Sequence, residues 1–84
     1  MYRWVWLDSV KAFILQEVFV DQGVETIVHH GSVRRFEGKE GVLWIPYTDY
    51  GLTLDNPCDF TSATALVENE LGLEFDRLPA VVIS

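Results

Sequence analysis

The sequence predicts an α+β domain: a two-layer sandwich in which a mostly antiparallel sheet of four to six strands carries two helices on one face. Three observations lead there. Short runs of alternating β-branched and aromatic residues, punctuated by Gly and Pro, recur through the chain. Two segments, beginning near Asp8 and Asp59, space their apolar residues helically behind a capping side chain. With 84 residues, 49% of them hydrophobic, the chain can bury one core and has no room for a second, so residues 1–84 form one acidic domain.

Tyr2 to Leu7, YRWVWL, alternates Tyr2, Trp4 and Trp6 against Arg3, Val5 and Leu7, which marks an edge or near-edge strand. Asp8 or Ser9 then caps a helix whose stripe is Val10, Phe13, Ile14 and Val18 and which ends before Gly23. A second reading of the same residues stays open: Glu17 to Val20 also alternates, and DQG could turn a hairpin into VETIVHH. Strand signals dominate from Val24 to His30, Ser32 to Glu37 and Val42 to Tyr47, with Gly31 punctuating the first junction and EGKEG closing a hairpin at the second. Pro46 cannot donate to a ladder, so its strand ends nearby or leaves that edge free.

YTDYG and DNPCD are turns. Asp59 or Thr61 caps a further helix with Ala63, Leu66, Val67 and Leu71 inward, Glu68, Asn69 and Glu70 outward, and Gly72 as terminator. LEF and Ala80 to Ile83 are short extended segments; the second lacks polar alternation and belongs either at the sheet centre or at an edge awaiting a partner. An all-β fold with a single helix is the alternative architecture.

Composition narrows the function. One cysteine, Cys58, excludes an internal disulfide, and no charged-then-apolar leader is seen, so the expected compartment is cytoplasmic. Asp8, Lys11, Gln16, Glu17 and Asp21 interrupt the first apolar region before it nears the roughly 18 residues of a membrane span. A net charge of -7 repels phosphate backbones, so neither direct nucleic-acid binding nor membrane association is expected.

Within VHHGSVRRFEGKEG, adjacent His29 and His30 point to opposite faces of a strand and cannot readily share a metal. Arg34 and Arg35 diverge likewise, and with Lys39 they make a modest cationic end that serves as a secondary contact. The glycine spacing does not fit a phosphate loop, and Glu40 stands where Ser or Thr is required. Cys58 lies beside Asp59, whose charge raises a thiol pKa, and no G-x-S-x-G elbow is present. No cofactor is implied.

The acids are more telling. From Glu40 onward they are Glu40, Asp49, Asp55, Asp59, Glu68, Glu70, Glu74 and Asp76, against Arg77 alone. The expectation is therefore a small non-enzymatic protein that binds and blocks a basic, nucleic-acid-handling surface of a protein partner, as anti-CRISPR inhibitors from phages do. Tyr47, Asp49, Tyr50, Asp55, Glu68 and Glu70 are the contact residues, their carboxylates imitating phosphate spacing and the tyrosines supplying rigid contact area. Two alternatives accompany it: a homo-oligomer joined through the Trp4/Trp6 face or the C-terminal strand, and a metal protein or enzyme built on His29, His30 and Cys58.

Overall fold

The computed structural model describes residues 1–72 in full and residues 80–83 as backbone. Strands β1 (Tyr2–Leu7), β2 (Ala12–Asp21), β3 (Val24–Gly38) and β4 (Gly41–Tyr47) form consecutive antiparallel pairs, helix α1 (Phe60–Glu70) follows, and β5 (Ala80–Ile83) pairs in parallel with β1. The sheet order is β4-β3-β2-β1-β5. The α+β class and the antiparallel sheet are as expected. Among the described residues there is one helix, not two, and the LEF segment lies outside them.

The first predicted helix is strand β2. Asp8–Val10 make a single 3-10 turn, and Lys11 then adopts the left-handed conformation (φ 51°, ψ 48°), which stops helical propagation. Its ammonium binds Asp8 Oδ1 at 2.7 Å and holds that carboxyl below its usual range. From Ala12 the β-branched and aromatic residues find cross-strand partners in β1: Phe13 faces Trp6 and Leu15 faces Trp4. Gln22 and Gly23 both have positive φ (49° and 78°), the geometry of a two-residue hairpin turn that matches strand twist. The hairpin reading of DQG is thus the one that forms.

β3 is likewise one strand, where a junction was expected at Gly31. Ile14 faces Ser32 while Gln16 faces His29, so the single residue Leu15 opposes His30 and Gly31. This bulge re-phases β3 without ending it. Gly31 serves as a point of close approach: a Cβ there would lie 2.6 Å from the Tyr47 carbonyl oxygen and 2.6 Å from Val67 Cγ1.

The core is Trp4, Leu15 and Val33 from the sheet and Ala63 and Val67 from α1. Tyr2, Trp4 and Trp6 face the helix, so Trp4 lies beneath it and the Trp4/Trp6 face is not free as a whole to join a second copy. β4 is the sheet edge, and residues 53–58 run along its outside. Trp44 and Cys58 exchange backbone bonds of 2.7 and 2.9 Å, and Leu54 N donates to Pro46 O at 2.9 Å. Pro46 shares the outward phase of Trp44, so its missing N–H costs the ladder nothing. β5 takes the opposite edge, outside β1, instead of the sheet centre.

Asp59 caps α1 by accepting from Ser62 N at 3.1 Å, which lowers its pKa, and Gly72 (φ 73°) ends the helix with its N–H on Asn69 O. Because the folded pKa lies below the unfolded one, the stabilisation from this carboxylate is complete above the unfolded value. It is lost as pH falls through the folded value. Asp59→Ala is expected to lower the melting temperature at neutral pH and to flatten the acid limb of stability below about pH 4. Thermal melts across pH 2–7, compared with the parent chain, check both effects.

Candidate partner-binding surface

The acidic side of the molecule is assembled by the β4–α1 loop. β4 delivers Tyr47 half-buried, and Thr48 then tightens the turn, its N–H donating to Leu52 O at 2.8 Å and its hydroxyl accepting from Leu52 N at 3.1 Å. That turn places Asp49 in solvent and Tyr50 at its tip, 87% exposed. Tyr47 and Asp49, together with Leu54, Glu70 and Leu71, line a depression of about 20 Å³, room for a single water. Asp55 stands exposed farther along, its Oδ1 accepting from Asn56 N at 2.7 Å. Loop and helix end thus bring Tyr47, Asp49 and Glu70 together, with Tyr50 and Asp55 on the same loop.

Glu68 is the exception. It is 2% exposed, and its Oε2 accepts a 3.0 Å hydrogen bond from Trp4 Nε1 in the core. The outward position expected for it is corrected: Ala63, Thr64, Val67 and Glu68 share the buried stripe of α1. A carboxyl fits there because the buried indole N–H needs an acceptor.

The cationic residues disperse as strand geometry requires. Arg34 extends over the Tyr47 ring, its Cζ 5.9 Å from the centroid. Arg35 lies on the helix side and pairs with Glu37 at 3.3 Å, while Lys39 is exposed in the β3–β4 turn. His29 and His30 diverge too: His29 Nε2 meets Gln16 Nε2 at 3.0 Å, and His30 Nε2 meets Glu17 Oε1 at 3.0 Å beside the Tyr2 ring. Burial, with the nearby Glu17 charge, pushes the Tyr2 phenol up. Among the described residues no three metal-ligating side chains converge. Burial, then the charges of Asp59 and Asp55, raise the Cys58 thiol, the direction that disfavours a nucleophilic thiolate.

An aromatic cluster joins segments that are far apart in the sequence. Trp6, Phe13 and Trp44 contact one another and Phe60 contacts Phe13 and Trp44, with ring centroids 5.1–6.1 Å apart, and Trp6, Phe13, Trp44 and Arg35 line an open recess. Its signal was the pairing of Trp6 with Phe13, which a helical β2 conceals. No helix among the described residues is long and apolar enough to cross a membrane. Comparison with protein-family models, with curated proteins and with solved structures finds no match to this chain.

Proposed function

We infer that this chain is a small acidic interaction protein that docks on a basic surface of a protein partner and blocks the nucleic acid that surface would hold, in the manner of phage anti-defence inhibitors. The observation that carries the reading is the meeting of Asp49, from the loop, and Glu70, from the helix end, beside Tyr47. Exposed Tyr50 and Asp55 follow on the same loop. Burial of Glu68 reduces the contact set to Tyr47, Asp49, Tyr50, Asp55 and Glu70; Arg34 borders it over the Tyr47 ring, and Arg35 and Lys39 lie elsewhere, on β3 and in the β3–β4 turn. Rigid tyrosines supply contact area, and the carboxylates supply steering and selectivity for a cationic groove.

Charge reversal tests this. Asp49→Lys with Glu70→Lys changes local charge by +4 without touching the core. Capture from nuclease-treated host extract is expected to retain a nucleic-acid-binding protein on the parent chain and to lose it, by about 100-fold in affinity, on the double variant. Binding should also weaken steeply with added salt. Capture indifferent to both reversal and salt rejects the acidic side as the contact.

A further inference from the structure

β3 is longer than its neighbour can cover. β4 pairs only with Ser32–Gly38, so Val24 to Gly31 has β2 on one side and no strand among the described residues on the other. Val24 to His29 are all exposed, Ile27 at 43%. The run carries four β-branched residues and neither Pro nor Lys; its one full charge is Glu25, and the bulge lies only at its far end.

The direction of its backbone groups follows from the far side of β2. Met1 and Val18 exchange both backbone bonds, Met1 N to Val18 O at 3.1 Å and Val18 N to Met1 O at 2.7 Å, so both polar groups of Val18 point away from β3. In an antiparallel ladder the residue opposite must then turn both of its groups outward as well, and that residue is Ile27. By the two-residue period, Glu25 and His29 do the same. Three consecutive outward N–H and C=O pairs therefore lie along this edge, with no backbone partner among the described residues.

The geometry points to a second copy of this chain as the occupant: two β3 edges pair antiparallel about a two-fold axis at Ile27, fusing the two sheets. In that register Ile27 opposes Ile27, and Glu25 of each copy opposes His29 of the other. All three pairs fall in hydrogen-bonded positions, which gives six inter-chain N–H···O bonds. Thr26 meets Val28 and Val24 meets His30 on the other face. Shifting the register by two residues sets Glu25 against Ile27 or Gly31, so only the centred register matches acid with imidazole.

The imidazole is prepared for this role. Arg3 Nε donates to Gln16 Oε1 at 3.0 Å, which turns the Gln16 amide nitrogen toward His29 Nε2. That ring nitrogen accepts, so the proton resides on Nδ1 and is available to a carboxylate. Among the described residues Glu25 pairs with Arg3 alone, at a loose 3.9 Å, and it is half exposed. The self-complementary pairing favours a second copy over a foreign strand, which would leave the isolated chain monomeric.

Sedimentation of the full chain tests this. The parent is expected to be dimeric at about 100 μM, a concentration at which weak specific pairs are still populated. Ile27→Pro removes only an outward N–H and is expected to weaken the dimer at least about tenfold with circular dichroism retained. His29→Glu opposes carboxylates and is expected to do the same, and the double variant E25K/H29E is expected to restore the dimer. Should Ile27→Pro disturb the fold, the charge variants decide alone. A monomeric parent, a dimer that tolerates His29→Glu, or failure of the double variant to restore association in a folded chain overturns the proposal. It stands independently of the acidic surface, since Asp49 and Glu70 lie on other elements.

Discussion

Replacing Gly31 with alanine is expected to cost about 3 kcal/mol or more and to lower the melting temperature by at least about 12 °C. The added methyl meets two atoms at 2.6 Å, the Tyr47 carbonyl oxygen and Val67 Cγ1. Neither can step aside cheaply. The carbonyl belongs to the last residue of β4, which pairs with Ser32, and Val67 is packed into the core with Ala63, Trp4 and Leu15. Relief requires lifting α1 from the sheet or peeling the end of β4 from β3, and each forfeits core burial. A domain of this size has roughly 4–13 kcal/mol of stability in total, so the loss is a large share. Gly38→Ala is the control, because its nearest neighbour would be Gly41 O at 3.4 Å; it is expected to cost less than about 1 kcal/mol, in line with ordinary contacts. Urea unfolding checks both: the Gly31 variant should shift the midpoint with an unchanged slope. Equal stability of the two variants would mean that α1 does not rest on Gly31.

How much of this arrangement the sequence disclosed depends on how local each cause is. β1, β4 and α1 were legible because alternation, the Asp59 cap and the Gly72 terminator act within a few residues. β2 was not, because Val10, Phe13, Ile14 and Val18 fit a helical stripe as well as a strand. The deciding influences were the left-handed Lys11, the turn at Gln22–Gly23 and the pairing with β1. A glutamine with positive φ carries little sequence signal compared with Asn or Gly. Gly31 reads as a junction, since a glycine between two strand-like runs resembles a turn until the helix that presses on it is known. The loop that shields β4 and the aromatic cluster both depend on contacts from distant segments. For the candidate site, Asp49, Tyr50 and Asp55 are legible as turn residues and Tyr47 as the end of a strand, whereas the inward position of Glu68 is not legible because its partner lies 64 residues away.

Trp4→Phe isolates that partnership. The phenyl ring keeps most of the apolar contact but removes Nε1–H, leaving the Glu68 carboxyl in the core without its donor. An unsatisfied buried group and a smaller ring together are expected to cost about 2–4 kcal/mol. Glu68→Gln keeps an acceptor oxygen and is expected to cost less than about 1 kcal/mol, as a conserved hydrogen bond should. The combination W4F/E68L removes both polar groups, so it is expected to be more stable than the two single losses predict, by a coupling of about 1–2 kcal/mol. Urea unfolding of the parent, W4F, E68L and W4F/E68L measures this directly; strict additivity would mean that the 3.0 Å contact contributes nothing specific. The same contact governs how the acidic surface can be tested. Glu68→Lys would set an ammonium against the indole N–H in the core, two donors and no acceptor, at a cost comparable to the whole stability of the domain. Loss of partner binding in that variant would report an unfolded chain, whereas Asp49 and Glu70 change charge while the Trp4–Glu68 bond and the helix cap stay intact.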